Sequence, residues 1–119
     1  MAVRTGQQYL EAINRQNREV FYDGQRITTG VAEHPVFRNI ARSVAELYDM
    51  QHDPALKDEM TYPSPTSGEP VGVSFLTPRT HEDLARRRQM IKRWHDHTVG
   101  MMGRSADYLN SALMAMAAA

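Results

Sequence analysis

The sequence predicts a mainly α fold with one short β-hairpin, and three observations lead there. Thr5 and Gln8 have the spacing of a capping box ahead of Tyr9, Leu10 and Ile13, which recur at helical steps. Val36, Ile40, Val44 and Leu47, joined by Phe37, Ala41 and Tyr48, trace one apolar face of a second helix. Asp23-Gly24 stands between two short arms containing apolar residues, the strongest local signal for a tight hairpin turn.

Taken in order, the first helix runs about three turns from Thr5, and "EVFYDGQRI" forms the hairpin. The second helix is expected to open at Pro35, whose fixed φ suits a first helical turn, and to bury Ile40, Val44 and Tyr48. "QHDPALKDEM" restarts a short helix at Asp53-Pro54, with His34 and His52 as turn or cap residues. Residues 61–80 hold four of the six prolines, so "SPTSGEP" reads as a surface loop leading to a brief strand, "VGVSFL". Thr80 and Asp83 cap a long helix to about Thr98, with Leu84, Ile91 and Trp94 facing inward. Ser105 then caps the last helix.

Composition narrows the function classes. Lys+Arg and Asp+Glu both number 14, so no global excess of charge points to nucleic acid or an anionic membrane. No run reaches the length of a membrane span, and "MAVRTGQQYL" lacks the basic flank and apolar block of a secretory signal. The absence of cysteine excludes a disulfide framework, a thiolate nucleophile and a cysteine-ligated cluster within this stretch. The expectation is a cytoplasmic protein. "YLNSALMAMAAA" carries no charge and lacks the glycine or basic last turn that usually ends a helix, so the chain is expected to continue beyond Ala119.

Two stretches invite a chemical reading that the residues do not favour. "RRRQMIKRW" places five cations in residues 86–93, but a solvated face whose Arg stems cover apolar surface is commoner than a phosphate site. His95 and His97 stand two apart, which on a helix sends them to different faces, so no metal is expected there.

"GMMGRSADYLN" is more specific. With Ser105 as N-cap, Arg104 lies just outside the helix and Tyr108 in its first turn, so both can reach the space in front of the helix N-terminus. A guanidinium, a phenol and unpaired backbone amides together suit an oxyanion on a small ring, and Gly100 and Gly103 let a flat group approach the backbone. The alternative is an ordinary loop, its arginine paired with a carboxylate and its tyrosine in the core.

"RTGQQYLEAIN", "HPVFRNIARSVAELYD", "QHDP", "MTY", "SFLTPRTHEDLARRR" and "GMMGRSADYLN" occur here in the order that they take in a known family. From Arg4 to Ala119 the chain resembles the large, oxygenase component of the two-component, reduced-flavin-dependent 4-hydroxyphenylacetate 3-monooxygenase type. The family usually has proline where this chain has Ala106, a first-turn position that alanine also suits.

The resemblance implies the N-terminal helical domain of an acyl-CoA-dehydrogenase-like fold over residues 1–119. The flavin-contacting β domain and a C-terminal helical bundle are then absent, and the piece alone is inactive. It implies ortho-hydroxylation of a 4-hydroxyphenylacetate-like phenol, with reduced FAD from a separate reductase as diffusible co-substrate and no metal. A homodimer or homotetramer is implied for the intact protein, with no nucleic-acid or membrane partner. Arg104 and Tyr108 match the residues that hold the phenolic oxygen, and Gly100 and Gly103 give room for the flavin ring. The alternatives are a non-catalytic helical binding module and an acyl-CoA dehydratase of the same superfamily.

Overall fold

Two compact units, Arg4–Asp49 and Met50–Ala119 together with Met1–Val3, make up the chain. The structure, a computed structural model, describes residues 2–16, 18–100 and 106–119, and the side chains of all of these but residues 106 and 107.

In the first unit, α1 (Gly6–Arg15) begins at the expected capping box: Thr5 Oγ1 accepts the Gln8 amide and the Gln8 side chain accepts the Thr5 amide. The hairpin β1 (Phe21–Tyr22) and β2 (Gln25–Arg26) pairs Phe21 with Arg26 and Tyr22 with Gln25. Asp23 and Gly24 take φ of +50° and +73°, as a two-residue hairpin loop requires. Tyr22 meets Phe37 edge-on at 6.1 Å, with His34 beside both rings.

Regular α2 runs Arg38–Asp49 and so begins three residues later than Pro35. His34 explains the delay. Its carbonyl accepts the amides of Phe37 and Arg38 while its Nδ1 accepts that of Val36, making a tight turn before the α ladder starts.

The buried face of α2 keeps Ala41 and Leu47 of the expected one but not Ile40 or Val36. Ala41, Ala45 and Leu47 are buried, whereas Ile40 is 51% exposed and Val36 45%. The reason is close backbone approach: a Cβ on Gly6 of α1 would lie 2.6 Å from the Ala45 carbonyl oxygen, a spacing that only small residues at the contact permit. The larger side chains are displaced to the flank. There Ile40 and Val44 line an apolar cleft of about 160 Å³ with Tyr9, Ile13 and Phe37. Tyr9 and Tyr48 stack at 4.9 Å, and burial, helped by Tyr48, pushes the Tyr9 hydroxyl above its usual pKa.

In the second unit, α3 (Lys57–Met60) follows a turn in which Asp53 Oδ1 accepts the Ala55 amide. A second hairpin pairs β3 (Thr61–Pro63), which no sequence signal announces, with β4 (Pro70–Gly72), Thr61 opposite Gly72, and most of the expected loop "SPTSGEP" connects the two strands. "VGVSFL" is strand only at its start; Val73–Phe75 turn into a 3-10 helix. The strand stops there because Val73 and Ser74 are both buried, and because Arg87 takes the Ser74 and Leu76 carbonyls that a neighbouring strand would otherwise use.

Helix α4 (His81–His97) starts at Thr80, whose Oγ1 accepts the Asp83 amide while Asp83 accepts that of Thr80. Its buried line is Arg87, Met90 and Trp94, so Leu84, at 54% exposed, does not face inward. Met60, Val73 and Met90 are fully enclosed and form the centre of this unit. Helix α5 (Ala106–Ala118) completes it. Among the described residues no helix is long and apolar enough to cross a membrane.

Candidate functional site

The mouth of α5 is built from below. Ser74, enclosed in the 3-10 turn, accepts a hydrogen bond at its Oγ from Asn110 Nδ2 at 2.9 Å. Arg87 reaches the same place from α4, its NH1 donating to the carbonyls of Ser74 (2.8 Å) and Leu76 (2.7 Å) and its NH2 to Ser111 Oγ (2.6 Å). Asn110 and Ser111 are the only polar residues after Tyr108, and both are used to seat the helix.

Tyr108 stands in the first turn of α5 and is 65% exposed. Leu109, Leu113 and Met116 are exposed along the same helix. Before α5, the chain leaves α4 through Val99 and Gly100 at φ of +53° and +69°, and a Cβ on Gly100 would meet nothing within 4 Å. Arg104, Gly103 and the expected cap Ser105 lie outside the described residues; of the expected site residues the structure places Tyr108 on α5 and Gly100 just after α4.

The basic stretch of α4 is only in part the solvated face that the sequence favours, with Arg88 and Lys92 exposed. Arg86 donates to the carbonyls of Asp58 and Thr61, Arg87 is buried, and Arg93 forms a two-pronged pair with Glu59 that holds its guanidinium still more firmly protonated. Lys92 pairs with Asp96 one turn away. Arg88 and Lys92 line a shallow cleft of α4, with His81 and Leu84. Arg87, Ser74, Asn110 and Ser111 were missed by sequence reasoning. The available signal was two polar residues side by side in the otherwise apolar stretch after Tyr108.

The fold is a helical part of the acyl-CoA-dehydrogenase-like class. A 4-hydroxybutyryl-CoA dehydratase from N. maritimus superposes with a TM-score of 0.66 over 79% of this chain and 18% of its own, at 22% identity, a likeness of fold. Residues 5–119 match the family described as 4-hydroxyphenylacetate 3-hydroxylase N terminal, and the chain belongs to that family. The 4-hydroxyphenylacetate 3-monooxygenase oxygenase component of Thermus thermophilus is 48% identical over 115 residues, 97% of this chain and 23% of the relative. A crystal structure of such an oxygenase component, complexed with FAD and 4-hydroxyphenylacetate, superposes with a TM-score of 0.89 over 97% of this chain and 24% of its own, at 48% identity. The chain thus spans about a quarter of the length of the curated relatives it matches.

Proposed function

We propose that this chain is the N-terminal helical portion of an oxygenase that ortho-hydroxylates a phenol resembling 4-hydroxyphenylacetate. Reduced FAD comes from a separate reductase, the intact protein is a cytoplasmic homodimer or homotetramer, and the flavin-contacting β domain and C-terminal bundle belong to the remainder of a longer protein. The observation that carries this reading is the near-complete superposition on a relative that holds both FAD and 4-hydroxyphenylacetate.

When bound, reduced FAD would supply the two electrons with which O2 gives one oxygen atom to the ring and the other to water. Gly100 is compatible with a flat ring nearby, since its left-handed backbone presents open space where a side chain would stand. The rest is the work of this chain's side chains. The carbon ortho to the hydroxyl must be electron-rich, so the site has to favour phenolate character. Arg104 and the N-terminal amides of α5 supply positive charge for that oxygen, and the exposed Tyr108 hydroxyl orients it by a hydrogen bond. Met101 and Met102 keep water from the reacting atoms.

The test is coupling in the full-length oxygenase, measured as hydroxylated product per reduced FAD consumed with hydrogen peroxide as the leak. Arg104→Ala is expected to raise the barrier by ~3 kcal/mol and Tyr108→Phe by ~1 kcal/mol, both diverting oxygen to peroxide without unfolding the protein. Full coupling in Arg104→Ala at unchanged substrate affinity makes the arginine structural and removes the reading.

A further inference from the structure

Arg87 is an unusual residue to find at the base of this site. It is 8% exposed, and its planar fork serves two separate elements at once, the end of the 3-10 turn through NH1 and α5 through NH2. Ser111, which it holds, lies three residues after Tyr108 on the same helix. Asn110 adds a second tie to the same turn through Ser74. These polar contacts connect the turn to a helix that bears no charged residue after Tyr108, so they specify the register that apolar packing alone leaves open.

We propose that Arg87 is a positioning residue for the hydroxylation: by joining the 3-10 turn to α5 it sets where the first turn of that helix, and with it the Tyr108 hydroxyl, stands relative to the phenol. The proposal rests on the reading of Tyr108 given above. Lysine cannot replace the arginine here. A single ammonium can satisfy the carbonyls or the serine, whereas the guanidinium spans both in one fixed plane.

The experiment compares Arg87→Lys, Ser111→Ala, Tyr108→Phe and the Arg87→Lys/Tyr108→Phe double variant in the full-length oxygenase. Arg86→Lys serves as control, because Arg86 makes two carbonyl bonds from the same helix but reaches α3 and β3 instead of α5. The readouts are product per reduced FAD, the KM for 4-hydroxyphenylacetate and the thermal midpoint. Arg87→Lys is expected to lower coupling about fivefold, the equivalent of one neutral hydrogen bond misplaced, and Ser111→Ala to lower it in the same direction. The double variant should be no worse than Tyr108→Phe, and Arg86→Lys should lower the midpoint while leaving coupling intact. Impaired Tyr108→Phe beside fully coupled Arg87→Lys and Ser111→Ala overturns the positioning role alone, as do effects that multiply in the double variant. Fully coupled Tyr108→Phe overturns the reading of Tyr108 and the inference that rests on it. If Arg87→Lys does not fold, Ser111→Ala decides the matter.

Discussion

The carboxylate of Asp49, the last residue of α2, accepts the backbone amide of Gly6, the first residue of α1, at 2.7 Å. One helix end thereby receives an anion where its amides are unpaired and its dipole is positive. The same closeness leaves no room at Gly6, where a Cβ would stand 2.5 Å from Asp49 Oδ2 and 2.6 Å from the Ala45 carbonyl oxygen. The carboxylate can swing away, but the carbonyl belongs to the helix. Gly6→Ala is therefore expected to destabilise by about 1–3 kcal/mol through forced separation of α1 and α2. Urea unfolding of the variant beside the parent checks it, and an unchanged midpoint means the helices yield freely.

A pair of truncations on α2 separates the alanine seam from its flank. Leu47 is 2% exposed, so Leu47→Ala should cost about 2–5 kcal/mol. Ile40, half in solvent, should cost about 0.5 kcal/mol or less when cut to alanine in this chain. Equal costs at the two positions would show that the apolar stripe is buried as a whole.

The start of α4 predicts an acid-sensitive contribution. Asp83 accepts the amides of Arg79 (2.9 Å) and Thr80 (3.0 Å), and these bonds, that of Arg79 foremost, hold its carboxyl below the usual range. A depressed folded pKa means that the stabilisation is complete above the unfolded value and is lost as pH falls through the folded one. The stability gap between the parent and Asp83→Asn should accordingly stay constant from pH 5 to 8 and shrink below about pH 4. Denaturant midpoints across that range provide the check; a gap that widens in acid contradicts it.

Val99 holds a β-branched side chain at φ +53° and is 84% exposed, so packing returns little for the strain. Val99→Asn, which tolerates the left-handed region, should raise stability by about 1 kcal/mol. Thermal unfolding measures it directly. A lower midpoint would show that the valine makes a compensating contact in the longer oxygenase.

Local features of this protein were legible in the residues alone. Thr5 with Gln8, Thr80 with Asp83, and Asp23-Gly24 all formed as expected, because each depends on bonds or backbone angles within four residues of itself. The family, too, was legible, since its blocks keep their order along the chain. Tertiary structure decided what periodicity could not. It chose Ala41 and Ala45 over Ile40 as the buried line of α2, because the close approach of the α1 and α2 backbones favours small residues over the most apolar ones. It turned "VGVSFL" from strand into a 3-10 turn and selected Arg87 from three consecutive arginines to bind it. Which of three identical cations enters a core depends on where its acceptors lie, and those acceptors, Ser74, Leu76 and Ser111, come from distant stretches that only folding brings together.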